Sequence, residues 1–102
     1  MNALLDLTAH ELAEKIAGRE VSAREAAEVA NRRVEEVEGE LNAFVTATPE
    51  LAIRRAESVD ARLRNGGVKP WEGVPLAVKD VLSTRGVRTT CGSKILENFE
   101  PL

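Results

Sequence analysis

Gly73-Val-Pro-Leu-Ala-Val-Lys-Asp80 is the stretch on which the reading of this chain turns. It reads as a loop feeding a short apolar strand that ends in a charged pair. Pro75 suits only the start of a strand, where its missing N–H costs nothing. Leu76, Ala77 and Val78 show no polar alternation, the pattern of a strand buried on both faces. A lysine directly after such a run is held near the interior, where its charge is costly. Side chains alternate along a strand, so Lys79 and Asp80 are expected on opposite sides and need not pair. On spacing alone, a Lys-Asp pair at a strand end is more often a solvated terminus or a surface ion pair. The residues by themselves leave both readings open.

Upstream of this stretch the pattern is helical. Thr8 and Glu11 form a capping box, each side chain satisfying a backbone N–H of the other residue, with Leu7 as the apolar residue before the cap. Leu12 and Ile16, joined by Ala9 and Ala13, make one apolar face. Gly18 is expected to end this helix in the left-handed conformation. Ser22 and Glu25 repeat the box and open a longer helix to about Glu38, with Gly39 as its stop. Its stripe of Ala26, Val29/Ala30, Arg33/Val34 and Val37 is narrow and made of small residues, which predicts close packing on a neighbour and not a free coiled coil.

Asn42 to Ala47 reads as a short strand around Phe44 and Val45. Thr48-Pro49 starts a third helix, with threonine as cap and proline at the first helical position. Ala52, Ala56, Val59 and Leu63 recur at helical spacing, and Asn65-Gly66-Gly67 closes the helix. Residues 1–65 are thus expected as three helices with one short strand. Residues 66–102, richer in Gly, Pro, Val and Thr, are expected to begin a sheet with the lysine strand, all within one larger α/β domain.

Composition narrows the class. The 102 residues are 43% hydrophobic and 30% charged, which marks a soluble, globular chain. A net charge of −3 sets up no field that would attract nucleic acid or an anionic membrane. Any contact with RNA is therefore expected through a partner or through residues outside these 102. Cys91 is the only cysteine, so no internal disulfide is possible, in keeping with a reducing cytoplasm. The opening from Met1 to Asp6 lacks the basic start and long apolar core of a signal peptide. No run approaches the roughly 20 apolar residues that span a bilayer, and the cytoplasm is the expected location.

Gly73-x-Pro75-x-x-x-Lys79-Asp80 resembles the lysine motif of the amidase signature family. Gly86-Val-Arg-Thr-Thr90, Gly92-Ser93-Lys94, Leu96 and Phe99-x-Pro101 follow in the family's order and spacing. Leu7-Thr-x-x-Glu-Leu12 and Leu41-Asn-Ala-Phe44 agree upstream, so the similarity covers essentially the whole chain. Thr89-Thr-Cys-Gly-Ser-Lys-Ile-Leu-Glu-Asn-Phe99 is most similar to one branch, the A subunits of aspartyl/glutamyl-tRNA amidotransferases.

The resemblance implies an α/β/α fold around a large mixed sheet. This chain would hold the N-terminal helices and first strands of that fold and would itself be mostly helical. It implies amide hydrolysis or transfer by a Ser–cis-Ser–Lys triad. Lys79 would be the terminal base, taking a proton from the bridging serine, which in turn activates the nucleophile. It also implies release of ammonia from glutamine for a misacylated Glu-tRNA or Asp-tRNA. The B and C subunits would be the partners, with tRNA held mostly by B. ATP and Mg²⁺ would be used on B, and no cofactor or metal is expected on this chain.

Such chemistry asks much of a lysine. An unperturbed lysine has a pKa of ~10.4, so only about one in 2,500 is neutral at pH 7. Work as a base near neutrality needs about 4 kcal/mol of bias against the charged form. Burial beside an apolar strand has the right sign.

The nucleophile is not found among these residues. Ser22 reads as a helix cap, Ser58 as helix surface, Ser83 as loop and Ser93 as the start of a helix. None stands in a Gly-Gly-Ser-Ser context, so the 102 residues alone are expected to be inactive. No substrate-binding residue is assigned. Thr89, Thr90 and Ser93 are read as capping the helix near Ser93 in preference to lining a site. Cys91 has no histidine partner and reads as a buried small side chain. His10 reads as an exposed helix residue, and Trp71 as cover for apolar surface beside the lysine strand. The lack of clustered His or Cys argues against a zinc site.

Two rivals stand beside the amidotransferase reading. One is an amidase that hydrolyses small amides. The other, of a different class, is a non-catalytic helical module that binds partners. Too little chain follows Leu76–Val78 to cover them, so these residues alone are expected to expose an apolar face and to form a homo-oligomer.

Overall fold

Thr8 starts the first helix as its pattern predicts: its side chain accepts from the Glu11 N–H (3.2 Å), and the Glu11 carboxylate accepts from the Thr8 N–H (2.7 Å). The computed structural model describes residues 3–102. Met1 and Asn2, which open the stretch read above for a targeting signal, lie outside the described residues. Helix α1 spans Ala9–Ala17, α2 Ala23–Leu41 and α3 Pro49–Arg64, with 3-10 turns at Ala3–Asp6 and Lys94–Leu96.

Helix ends depart from expectation in four places. Gly18 caps α1 with φ −79°, and the left-handed residue is its neighbour Arg19 (φ 60°), whose guanidinium reaches the Leu63 carbonyl. Helix α2 runs through Gly39 to Leu41, because an interior glycine costs only about 1 kcal/mol and Asn42 adopts the left-handed turn instead (φ 49°). The Ser22 hydroxyl accepts from Glu25 N–H without the return bond of a full capping box, and the Thr48 side chain makes no cap bond. The α2 start is completed by Asp60 on α3, whose carboxylate accepts from the Ala23 and Arg24 N–H groups at 2.8 and 3.1 Å.

Two compact units result. The first comprises residues up to Ala43 together with Thr48–Pro75, and the second Phe44–Ala47 together with Leu76–Leu102. In the first, or helical, unit the core is Leu12 and Ile16 of α1, Ala23, Ala26 and Ala27 of α2, and Ala56 and Val59 of α3. The alanines let α2 and α3 pack closely, as the narrow stripe predicts. Arg24 ties them outside the core, 2.9 Å from both Glu28 and Glu57. Gly73, at φ +94°, lies against this core, where a Cβ would stand 3.0 Å from Ala23 and 3.1 Å from Ile16.

The second, or loop, unit corrects the expected strands. No described residue belongs to a β-strand, neither Asn42–Ala47 nor the lysine segment. Leu76 is 82% and Val78 49% exposed, so the apolar run is not buried on either face. A strand needs a neighbour whose backbone completes its ladder, and none is supplied here. Isolated bonds stand in its place, from Gly86 N–H to Pro101 O and from Thr89 N–H to Phe99 O, each 2.9 Å. The sheet of an α/β fold is therefore absent from the described residues, which form helices and turns.

Candidate functional site

Lys79 ends the irregular segment that begins at Val74. Its carbonyl accepts from the Leu82 N–H at 3.0 Å, and the chain turns there. Lys79 is exposed, contrary to the interior placement that its apolar run predicts, since Leu76 and Val78 beside it are exposed too. The described residues do not supply the apolar cover expected around it.

Asp80 is held quite differently. One carboxylate oxygen accepts from the Thr90 N–H (2.8 Å), and the other accepts from the Thr90 hydroxyl. The Asp80 carbonyl accepts from the Cys91 N–H at 2.9 Å, while the Thr90 hydroxyl accepts from the Gly92 N–H at 3.2 Å. The Thr90 hydroxyl and then its N–H hold the Asp80 carboxyl below its usual range. Desolvation opposes these two bonds less strongly, and the Gly92 N–H and the charge of Arg88 add smaller lowering effects. Thr90 and Thr89 are both buried. Their hydroxyls serve Asp80, Gly92 and the Val87 carbonyl, and they do not cap the turn at Lys94, as they were expected to. Ser93 alone does so, accepting from the Ile95 N–H at 3.3 Å.

Arg88 is the hub of this unit. Its Nε donates to the Thr46 hydroxyl (3.1 Å), and its two terminal nitrogens donate to the carbonyls of Val45 (3.2 Å) and Glu97 (3.1 Å). Neither this role nor the Asp80–Thr90 bond was assigned from sequence. The one available signal was a charged residue set among small ones in Gly86-Val-Arg-Thr-Thr90.

The remaining residues fall into structural places. Ser22 caps α2, Ser58 lies exposed on α3 and Ser83 lies exposed in a loop. Cys91 is exposed, not buried, because its backbone takes the left-handed conformation (φ 51°) at the turn into Gly92. His10 is exposed on α1, with Nε2 3.2 Å from Glu14. Trp71, also left-handed (φ 73°), is mostly exposed and tilts against the His10 ring at 5.9 Å, so it covers α1 and not the lysine segment. Among the described residues no group of three or more His, Cys, Asp or Glu side chains could hold a metal ion. No described helix is long and apolar enough to cross a membrane.

Comparison with known proteins places these observations. The sequence model of the amidase family matches residues 25–101. The chain is 71% identical over 100 residues to a Rubrobacter xylanophilus protein named as the A subunit of glutamyl-tRNA(Gln) amidotransferase, a match covering 97% of this chain and 21% of that protein. Proteins of the same name from Geobacter sulfurreducens (51% over 98 residues, 96% and 20% covered) and Dehalococcoides mccartyi (42% over 101 residues, 99% and 21% covered) are also similar. The chain spans about a fifth of the length of these curated relatives.

Proposed function

The chain belongs to the amidase family, and from that premise we propose that it is part of a glutamine-dependent amidotransferase in which Lys79 is the catalytic base. The observation that carries this reading is the 71% identity, across 97% of the chain, to a relative named as the A subunit of a glutamyl-tRNA(Gln) amidotransferase. The whole protein releases ammonia from the side-chain amide of glutamine, for conversion of Glu-tRNA(Gln) or Asp-tRNA(Asn) to the amidated form. The B and C subunits are its partners, and ATP and Mg²⁺ act on B.

The proton path begins at Lys79. Its neutral amine takes the proton of a bridging serine, which takes the proton of the nucleophilic serine as that oxygen attacks the amide carbon. The C–N bond then breaks, and the proton returns to the departing nitrogen as ammonia. Neither serine is assigned to Ser22, Ser58, Ser83 or Ser93. Both are placed in the part of the protein beyond these 102 residues, and so is the apolar cover that a neutral lysine needs.

The test uses the full-length protein in complex with its partners. Lys79→Ala is expected to lower kcat for ammonia release from glutamine by about 10² to 10⁴-fold, the usual contribution of a positioned base. Added ammonium chloride is expected to restore amidation of Glu-tRNA, since it bypasses the step that needs Lys79. An unchanged kcat would remove Lys79 from the mechanism. Amide hydrolysis without any tRNA amidation by the complete complex would favour the small-amide amidase instead.

A further inference from the structure

We infer that Asp80 and Thr90 form a positioning device for Lys79, fixing the backbone that carries the lysine. The inference rests on the reading of Lys79 as the base. Bonds to the residue after Lys79 hold this segment. Thr90 grips both oxygens of the Asp80 carboxylate through its N–H and hydroxyl, and Cys91 N–H holds the Asp80 carbonyl at 2.9 Å.

The peptide between Lys79 and Asp80 is planar, so only two soft torsions separate the Cα atoms of the two residues. The Lys79 carbonyl is itself bonded to the Leu82 N–H. Thr90 is 7% exposed. Its hydroxyl donates to Asp80 and accepts from Gly92, so its orientation is set from both sides.

The same bonds keep the two charges of the motif apart. A carboxylate paired with Lys79 would favour the ammonium form, which cannot accept a proton. The Asp80 carboxylate is taken by Thr90 instead, and Lys79 has no ion pair among the described residues. Asp80 and Thr90 touch neither substrate nor nucleophile and act only through Lys79.

Thr90→Val and Thr90→Ser test this in the full-length protein within its complex, each alone and combined with Lys79→Ala. Thr90→Val is expected to lower kcat for glutamine by about 10 to 10²-fold, the cost of misplacing a reacting group by about 1 Å, with KM little changed. Thr90→Ser keeps the hydroxyl and is expected to restore kcat. Asp80→Asn, which keeps an acceptor for the Thr90 N–H and loses the one facing the hydroxyl, should fall between. With Lys79→Ala already present, Thr90→Val should cost nothing further, because the two substitutions interrupt one path. An equal loss in both backgrounds, no rescue by serine, or full activity of both Thr90→Val and Asp80→Asn would overturn the positioning role. Full activity of Lys79→Ala alone would instead sink the reading of the base on which the role rests.

Discussion

The helical unit and the loop unit solve the problem of folding in opposite ways. In the helical unit, Leu12, Ile16, Val59 and four alanines, Ala23, Ala26, Ala27 and Ala56, are inside, and the Arg24–Glu57 pair is outside. In the loop unit the buried residues are Thr89 and Thr90, while Leu76, Val78, Val81, Leu82, Ile95, Phe99 and Leu102 are all exposed. A buried aliphatic side chain contributes roughly 1.5–3 kcal/mol, against a net ~1 kcal/mol for an ordinary hydrogen bond. The loop unit therefore stands on the weaker kind of interaction. It holds the proposed base in a shape set by polar anchors and leaves its apolar groups available to a covering surface.

The sharpest way to break this contrast is to attack the helical core. Ile16 is fully buried, so Ile16→Ala is expected to cost about 2–5 kcal/mol from lost transfer energy and the cavity left behind. Thermal melting of the helical circular dichroism signal measures it. A shift too small for about 1 kcal/mol would show that the core repacks freely and that the helical unit does not depend on apolar burial as argued.

A smaller effect is expected from removing the polar hub of the loop unit. Arg88→Ala deletes three bonds that hold Val45, Thr46 and Glu97. The net loss is expected at about 1–3 kcal/mol, less than the sum of three such bonds because Arg88 is only partly buried and the freed acceptors can turn to water. Hydrogen exchange at residues 44–47 and 84–101 should speed up while α1 to α3 keep their protection. Equal loss of protection in the helices would erase the distinction between the units.

The same contrast explains what could be read in advance. Helix starts are local: Thr8 with Glu11 and Ser22 before Glu25 lie within three residues of what they cap, and Pro49 marks the first turn of α3 by itself, so their chemistry is visible in order. Stops were less legible, because Gly39 and Asn42 compete within one turn and only the relative costs of an interior glycine and a left-handed asparagine decide between them. The strands at 42–47 and 76–78 were inferred from apolar content alone. Such content predicts burial only if a partner surface is present, and among the described residues none is. Lys79 was singled out by its place after Val78 and by resemblance. The Asp80–Thr90 bond spans ten residues of irregular chain, where no periodicity signals a contact. Asp60 as the cap of α2 was hidden for the same reason, being 37 residues from the Ala23 amide that it accepts.

Acid gives the gentlest test. The folded Asp80 carboxyl lies below its usual range because Thr90 donates to it, so the unfolded chain binds protons at higher pH than the folded one does. The stabilisation is complete above the unfolded value of about 3.9 and is lost as pH falls through the lower folded value. Glu72 in the helical unit is lowered likewise, first by its bond from Arg62 and then by the Lys69 N–H, but there the apolar core remains when the carboxyl is protonated. Titration below pH 4 should therefore loosen the loop unit first, seen as broadening of the Thr90 and Gly92 amide resonances while the helical signal persists. Asp80→Asn should remove that step, since a carboxamide carries no titratable proton in this window. If both units lose structure together, or if the loop unit keeps its amide signals through the titration, polar anchoring at Asp80 is not what holds the lysine segment in shape.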